Sequence, residues 1–241
     1  PRREMLEPLR ERVRAEGADF GFASDPDGDR CAFVLPDDTV GEEGTLPLCA
    51  MARLEGGMRG TLVTNLSTSA WLEIVASRYD CTVRRAPVGE ANVVSRMLAE
   101  EARFVGEGNG GVIDPAVHLG RDAGVAAALL LQLETSYGSA GQKGRGGLRD
   151  AWQTLPARAM VKEKLTLGDA ERERLWEELP GAFGVPDNTE DGLRWAWDDE
   201  WIHIRPSGTE PIVRLIAEAA TAERARVRVR KVADLAERLG G

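Results

Sequence analysis

The chain has 241 residues, of which 42% are hydrophobic and 29% are charged. At roughly 100 to 200 residues per domain this suggests two small domains or one large one, and it excludes a disordered or collagen-like chain. The formal net charge of −9 disfavours binding to a phosphate backbone, so we expect no nucleic-acid partner. Three widely spaced cysteines without a CxxC pair disfavour a disulfide framework and a zinc site. Because no apolar run is long enough to cross a bilayer, we expect a cytoplasmic protein without a membrane partner.

The N-terminal residues predict one helix followed by a pair of strands. Apolar residues at spacings of three and four within residues 2–15 are typical of an amphipathic helix, which we expect to end at Gly17. Short strand-like stretches at 20–22 and 31–33 flank the acidic sequence DPDGDR. The acidic sequence is therefore expected to form the turn between two strands.

Helices and strands alternate from about residue 44. The predicted elements are a helix at 46–53, a strand at 61–66, a helix that opens at 67–69, a strand at 81–85, a helix at 90–101, a strand at 103–105 and a helix at 122–134. Such alternation predicts a parallel sheet with helices on its faces. In an open sheet of this kind, ligands bind outside the carboxyl ends of the strands.

The pattern changes between about residues 150 and 158, where we expect a domain boundary. The glycine-rich stretch 138–147 leads into a short helix before Pro156. The elements predicted beyond the boundary are a strand at 157–167, a helix at 169–179, strands at 191–197, 200–205 and 212–218, and a helix at 222–239. The expected fold class is therefore α/β: a parallel-sheet αβα domain followed by an α+β C-terminal domain with an antiparallel sheet.

Three carboxylates alternate in the sequence DPDGDR (25–30), which we call the acidic loop. In a tight turn Asp25, Asp27 and Asp29 converge, and a hard divalent cation such as Mg²⁺, Mn²⁺ or Ca²⁺ relieves their mutual repulsion. An EF-hand is excluded because its sixth position, a glycine, is Arg30 here. A guanidinium beside a metal suits a phosphate that bridges to it. A solvated acidic turn without a metal is the alternative.

The sequence GEGNGG (106–111), which we call the glycine loop, follows one of the predicted strands. Its four glycines allow close approach of the backbone to a ligand. Glu107 offers an acceptor, and Asn109 offers both a donor and an acceptor, which suits vicinal sugar hydroxyls. The spacing is not GxGxxG, so no dinucleotide site is predicted. A plain glycine turn is the alternative.

The sequence RPSGTEP (205–211), which we call the arginine loop, connects two predicted strands. It combines two hydroxyls, a glycine N–H and two guanidiniums close to one spot. Planar guanidiniums bind phosphate in a bidentate manner, and successive backbone amides add further donors. The predicted phosphate ligands are Arg205, Ser207, Gly208, Thr209 and Arg214. A proline-bounded hairpin turn with an incidental arginine is the alternative.

Together and in this order, the three loops resemble the α-D-phosphohexomutase superfamily, which contains phosphoglucomutases, phosphomannomutases and phosphoglucosamine mutases. The resemblance runs from about residue 17 to the end of the chain. Members of the superfamily have four domains around a central cleft. The resemblance implies that residues 1–37 are the end of the metal-binding second domain, 38–152 the sugar-binding αβα third domain, and 156–241 the phosphate-binding fourth domain.

The resemblance also implies a role for each loop in phosphoryl transfer between O6 and O1 of a hexose phosphate. Mg²⁺ is held by Asp25, Asp27 and Asp29, with Arg30 beside it as the catalytic arginine. Glu107 and Asn109 bind sugar hydroxyls. The phosphate that is not transferred is bound by Arg205, Ser207, Gly208, Thr209 and Arg214.

Two departures from the family pattern bear on catalysis. The phosphoserine of the family's first domain precedes His-Asn-Pro, and no serine of this chain has that context. We therefore expect the chain alone to be inactive and to need the N-terminal phosphoserine domain as its partner. Many relatives end the sugar loop with Ser-Gly-His, whereas this chain has Gly111 at the histidine position, which excludes a histidine acid/base there. Arg121 and Lys143 are unassigned candidates for phosphate or proton contacts.

The substrate is predicted from the sequence PVGE (87–90). Glucose- and mannose-preferring bacterial members are expected to carry Gly-His there, so the acidic residue favours phosphoglucosamine mutase over phosphomannomutase or phosphoglucomutase. Two other classes are open. A haloacid-dehalogenase-like phosphatase would use Asp25 as nucleophile and Asp27 as acid, but it expects threonine where Asp29 stands and does not predict the arginine loop. A noncatalytic sugar-phosphate binding module is the last alternative.

Overall fold

The computed structural model describes residues 3–138, 147–208 and 210–240 of the chain. Contacts between Cα atoms divide the chain into two compact units, Pro1–Leu155 and Pro156–Gly241. We call them the N-terminal unit and the C-terminal unit. No helix in the described ranges is long and apolar enough to cross a membrane.

The N-terminal unit begins with a helix and a small antiparallel sheet. After a 3₁₀ turn at Arg3–Met5, the elements are α1 (Glu7–Glu16), β1 (Gly21–Ser24), β2 (Cys31–Val34) and β3 (Thr39–Gly41). The helix ends as predicted, because Gly17 adopts the left-handed conformation at φ +63° and donates its N–H to the carbonyl oxygens of the last turn. The strands pair in the order β1-β2-β3. The acidic loop is therefore the connection of a hairpin, as predicted.

A four-stranded sheet with helices on its faces forms the rest of this unit. The elements are α2 (Glu42–Glu55), β4 (Thr61–Asn65), α3 (Trp71–Ser77), β5 (Thr82–Ala86), α4 (Glu90–Ala99), β6 (Phe104–Glu107), β7 (Gly111–Ile113), α5 (Ala123–Gly138) and α6 (Leu148–Gln153). The strand order is β5-β4-β6-β7. β4 is parallel to β5 and β6, as predicted, but β7 is antiparallel to β6. The sheet is therefore mixed, because the glycine loop reverses the chain instead of leading into a crossover helix.

Both faces of this sheet are covered by apolar packing, so the polar loops lie at the carboxyl ends of its strands. On one face, Leu62 and Phe104 pack with buried residues of α2 and α5 such as Leu46 and Leu130. On the other face, residues of β4 and β6 pack against α4. Helix α2 begins at Glu42, earlier than the predicted residue 46, because its polar first turn carries no apolar periodicity.

The C-terminal unit is an antiparallel sheet covered on one face by two helices. Its elements are β8 (Ala159–Thr166), α7 (Asp169–Phe183), β9 (Leu193–Ala196), β10 (Trp201–Pro206), β11 (Ile212–Ala219) and α8 (Ala222–Gly240). The strand order is β8-β11-β10-β9, and every pairing is antiparallel. Leu175 and Val229 of the helices pack against Ile204 and Leu215 of the strands. The predicted fold class is confirmed, with a mixed sheet in place of the predicted parallel one in the N-terminal unit and the predicted antiparallel sheet in the C-terminal unit.

Candidate functional site

The acidic loop gathers its three carboxylates at one point. One oxygen from each of Asp25, Asp27 and Asp29 lies within 4.8 Å of the others. Asp25 is buried, Asp29 is half-buried and Asp27 is exposed. Gly28, at φ +73°, makes the turn that this convergence requires. The donor set is made only of oxygen, which fits a hard divalent cation such as Mg²⁺.

Hydrogen bonds hold the acidic loop in shape and fix the charge of Asp25. Its Oδ1 accepts the backbone N–H groups of Asp29 and Arg30 at 3.2 and 3.1 Å, and its Oδ2 accepts Nε of Arg30. Burial by itself raises the pKa of Asp25, but the hydrogen bonds from Arg30 and Asp29 outweigh burial and lower that pKa far below its usual range. Asp25 is therefore ionised at neutral pH. Burial and the neighbouring Asp25 carboxyl raise the pKa of Asp29.

Arg30 leaves part of its guanidinium for a ligand. Its Nε contacts the carboxylates of Asp25 and Asp29. Within the described residues, its two terminal nitrogens have no protein partner, and 41% of its side chain is exposed. The predicted neighbour of the metal is thus placed with a free planar edge, which is the geometry that binds a phosphate.

Glu107 is the last residue of β6, and hydrogen bonds from other residues of the chain fix its carboxylate. It is only 1% exposed. Its Oε1 accepts hydrogen bonds from Nδ2 of Asn65 at 2.7 Å and from the N–H of Gly89 at 3.0 Å. Its Oε2 accepts a hydrogen bond from Nη1 of Arg121 at 3.0 Å. The fixed carboxylate retains acceptor capacity for one more donor. Its contact with a sugar hydroxyl stays a prediction.

The sequence patterns do not single out Asn65, whereas Gly89 belongs to the PVGE sequence from which the substrate is predicted. The two residues lie at the carboxyl ends of neighbouring parallel strands, since β4 ends at Asn65 and Gly89 lies shortly after β5. A polar residue at the end of a parallel strand is the signal that could have found Asn65.

Close approaches explain the glycines of the glycine loop. A Cβ at Gly108 would overlap the Glu43 carboxylate, and a Cβ at Gly110 would overlap the carbonyl oxygen of Cys31. Oδ1 of Asn109 accepts the N–H of Gly111 at 3.0 Å. Within the described residues, the Nδ2 group of Asn109 has no protein partner, so it is a donor available to a ligand. Its predicted role in sugar binding stays a prediction.

The acidic loop and the glycine loop lie side by side in the N-terminal unit. The N–H of Cys31 donates to the carbonyl oxygen of Gly110 at 2.9 Å, and the N–H of Ala123 donates to the carbonyl oxygen of Gly28 at 2.9 Å. A candidate cation site and a candidate sugar site are therefore adjacent in the folded N-terminal unit, although about 80 residues separate them in the sequence.

The arginine loop connects β10 and β11 of the C-terminal unit. Arg205 and Arg214 lie directly opposite each other in the strand register, a like-charge pairing that destabilises a sheet unless it is compensated. Asp191 compensates Arg205 at 2.9 Å, and Glu210 compensates Arg214 at 3.2 Å. Lys164 of β8 is opposite Arg214 in the next strand pair. Three cations therefore form a row across the sheet, which favours an anionic ligand.

The turn of the arginine loop is closed by a hydrogen bond of 2.9 Å from the N–H of Ser207 to the carbonyl oxygen of Ile212. Gly208 faces open space, which leaves room for a ligand beside its N–H. Thr209 and Lys143 lie outside the described residues. Lys164 and Asp191 were not predicted as members of this site, because neither belongs to the motif and the strand register alone brings Lys164 to it.

Comparison with known proteins identifies the class that this fold and these loops define. Residues 42–145 match the family model of phosphoglucomutase/phosphomannomutase, alpha/beta/alpha domain III. Residues 160–235 match the model of the C-terminal domain of the same family. The chain therefore belongs to the phosphoglucomutase/phosphomannomutase family of α-D-phosphohexomutases, and the resemblance inferred from the three loops is confirmed.

Individual relatives carry different names. A phosphoglucomutase/phosphomannomutase of Thermococcus kodakarensis is 34% identical over 94% of this chain and 49% of the relative. A probable phosphoglucosamine mutase of Methanopyrus kandleri is also 34% identical, over 94% of this chain and 49% of the relative. The chain thus spans about half the length of these curated relatives. A crystal structure of a phosphoglucomutase/phosphomannomutase family protein from Burkholderia thailandensis has the same fold, with a TM-score of 0.78 and 23% identity over 98% of this chain and 50% of that chain.

Proposed function

We propose that this chain provides the cation-binding, sugar-binding and phosphate-binding parts of a phosphohexomutase, which moves a phosphoryl group between O6 and O1 of a hexose phosphate. The observation that carries the proposal is that the acidic loop lies next to the glycine loop. The hydrogen bond from the N–H of Cys31 to the carbonyl oxygen of Gly110 joins the two segments. It supports a site where a cation lies beside a sugar. Residues 1–37, 38–152 and 156–241 are proposed to be the end of the second domain, the third domain and the fourth domain.

The acidic loop is proposed to hold Mg²⁺ through Asp25, Asp27 and Asp29. When bound, Mg²⁺ neutralises charge on the phosphoryl group during transfer. Asp25 is well suited to this role because it is already ionised and fixed by backbone N–H groups. Arg30 binds the same phosphoryl group through its free edge and stabilises the charge that develops there.

The glycine loop is proposed to bind sugar hydroxyls, and the arginine loop is proposed to bind a phosphate. Asn109 donates its free amide to a sugar hydroxyl, and Glu107 accepts from another. The phosphate that is not transferred is bound by Arg205, Ser207, Gly208, Thr209 and Arg214. Each charge-assisted hydrogen bond contributes about 1.5 to 3 kcal/mol. This non-reacting phosphate keeps the sugar bound while its two ends exchange places.

The serine that carries the phosphoryl group is proposed to lie in a phosphoserine domain outside these 241 residues. No serine of this chain precedes His-Asn-Pro. Phosphate monoesters hydrolyse extremely slowly without a catalyst. The glycine loop and the arginine loop, which only bind the substrate, therefore do not replace a nucleophile. We therefore expect no turnover by this chain without that domain.

Glucosamine 6-phosphate, converted to glucosamine 1-phosphate, is the proposed substrate, with mannose or glucose phosphates as the alternative. The PVGE sequence supports it, since Gly89 donates to Glu107 and Glu90 adds a carboxylate near the same loop, which favours a substrate that carries an ammonium group. The proposed compartment is the cytoplasm, and the three cysteines, free and buried, support it.

The haloacid-dehalogenase alternative is wrong. The family models are those of mutases. Asp25 also lies in the connection of an antiparallel hairpin, and hydrogen bonds engage both of its oxygens. It is therefore poorly placed to attack phosphorus.

The function is tested by adding glucosamine 6-phosphate and Mg²⁺ to this chain alone, and to this chain mixed with the N-terminal half of a relative. ³¹P NMR follows formation of glucosamine 1-phosphate. Turnover only in the mixture, abolished by Asp25→Asn, is expected. Binding without turnover in both samples would instead identify a noncatalytic sugar-phosphate module. Mannose 6-phosphate and glucose 6-phosphate in the same mixture test the choice of sugar.

A further inference from the structure

Arg121 is the one side chain in the described part of the chain that pairs with both the acidic loop and the glycine loop. Its Nη2 pairs with Oδ2 of Asp29, and its Nη1 donates to Oε2 of Glu107 at 3.0 Å. Its Nε lies 3.4 Å from Oε2 of Glu90, and its backbone N–H donates to Oε1 of Glu90 at 2.9 Å. One guanidinium thus contacts carboxylates from three separate segments.

Packing fixes the aliphatic part of the Arg121 side chain, in addition to the ion pairs that fix its guanidinium. A Cβ added at Gly111 would overlap Cδ of Arg121, so the absence of a side chain at Gly111 makes room for this arginine. Only 20% of the Arg121 side chain is exposed. Its path between the two loops is therefore determined by packing and not only by charge.

The local charge balance sets Arg121 and a cation in competition. The two loops and the start of α4 present five carboxylates, those of Asp25, Asp27, Asp29, Glu90 and Glu107. Only two guanidiniums, from Arg30 and Arg121, pair with these carboxylates in the described residues. A divalent cation between the aspartates would repel the guanidinium held by Asp29 and would draw electron density from that carboxylate. Glu107 and Glu90 would remain as partners for Arg121.

We propose that Arg121 is a positioning residue that links the acidic loop to the glycine loop, pairing with Asp29 when no cation is bound and shifting toward Glu107 and Glu90 when a cation binds. The linkage rests on the proposed function of the two loops. Cation binding then stabilises the buried Glu107 in its sugar-binding position. By thermodynamic reciprocity, sugar-phosphate binding at the glycine loop increases the affinity of the acidic loop for the cation.

Arg121→Met tests the linkage, because it keeps the apolar stem and removes the charge. Titration of the full chain with Mn²⁺, followed by electron paramagnetic resonance, gives the cation affinity. Isothermal titration with glucosamine 6-phosphate, with and without Mn²⁺, gives the sugar-phosphate affinity. We expect Mn²⁺ to bind about tenfold more tightly, since the competing charge of the guanidinium that pairs with Asp29 is removed. We expect glucosamine 6-phosphate to bind about tenfold or more weakly, since Glu107 loses the cation that orients it.

Opposite changes in the two affinities separate positioning from structural damage, which would weaken both. Arg121→Lys restores the charge without the planar fork. It should return the Mn²⁺ affinity to within about twofold of the wild-type value and leave glucosamine 6-phosphate binding weak. The matched control is Arg53→Met, since Arg53 also pairs with a buried carboxylate, Asp114, at 3.2 Å but contacts neither loop. It should change neither affinity.

The outcomes distinguish this linkage from the function on which it rests. If the wild-type chain binds no Mn²⁺, or if Asp25→Asn leaves its Mn²⁺ affinity unchanged, the proposed cation site is refuted and the linkage with it. If the wild-type chain binds Mn²⁺ but Arg121→Met leaves both affinities unchanged, or weakens Mn²⁺ binding, only the linkage is refuted. The Arg121→Lys variant provides the same sugar-phosphate test if Arg121→Met does not fold.

Discussion

His203 makes the stability of the C-terminal unit depend on pH. It has no exposed surface, and its Nε2 donates to the carbonyl oxygen of Asp191 at 2.6 Å. Burial, with a smaller contribution from the nearby Arg205 and Arg194, lowers the pKa of His203 from 6.5 to about 4. Because Asp191 also holds Arg205, the same residues shape the arginine loop.

The folded unit is expected to lose stability as the pH falls from about 6.5 toward about 4, because the unfolded chain then binds a proton that the folded chain does not. One pKa unit corresponds to about 1.36 kcal/mol. With the two pKa values of 6.5 and about 4, the contribution of His203 changes by about 2 kcal/mol between pH 7 and pH 5. Well below pH 4, where the histidine is protonated in both the folded and the unfolded chain, it no longer changes.

His203→Gln removes the titration and keeps an amide donor for Asp191. Urea unfolding at pH 7, 6 and 5, read by hydrogen exchange in the peptide that carries β10, gives the free energy of unfolding for both proteins. The stability of the variant relative to the wild type should rise by about 2 kcal/mol from pH 7 to pH 5. A constant difference between the two proteins, or a change of the opposite sign, would refute the assignment of a buried neutral histidine.

Three further substitutions test the loops. Asp27→Asn should weaken Mn²⁺ binding by about tenfold or more, since it removes a charged ligand. It should change the thermal midpoint of unfolding little, because Asp27 is exposed. An unchanged Mn²⁺ affinity would count against the cation site. Gly110→Ala should destabilise the chain by about 2 to 5 kcal/mol in a denaturation experiment, because φ is +88° and the new Cβ overlaps Cys31. Gly57→Ala, at φ +92° but in open space, is its control and should cost about 1 to 2 kcal/mol; equal losses would contradict the close approach. Arg205→Lys should weaken hexose-phosphate binding by about tenfold in calorimetry, since lysine lacks the bidentate fork, and unchanged binding would refute the assignment of the arginine loop.

Compensated charge is the common physical feature of the three loops. Asp25 is held by Arg30, Glu107 by Arg121, and Arg205 by Asp191. A paired charge is stable in the free protein and remains oriented for a ligand, so less ordering is needed on binding. An unpaired buried charge would cost several kcal/mol. The partners are therefore as much a part of the candidate site as the residues of the motifs.

The sequence alone determined much of the local structure of the chain and predicted the chemistry of its loops. Apolar periodicity predicted the α/β alternation, and Gly17 marked the end of α1, because both depend on residues only a few positions apart. The alternating aspartates of the acidic loop, the glycines of the glycine loop and the composition of the arginine loop predicted their chemistry for the same reason. The family assignment followed from these short motifs.

Only the tertiary structure decided how these segments meet. β7 reverses against β6 through the glycine loop, in which Gly110 packs directly on the backbone of Cys31, an approach that no local pattern encodes. Glu107 is buried and engaged by Asn65, Gly89 and Arg121, which come from three other segments. Such contacts depend on the strand order and on the packing of helices against the sheet, so they are properties of the folded chain and not of any single motif.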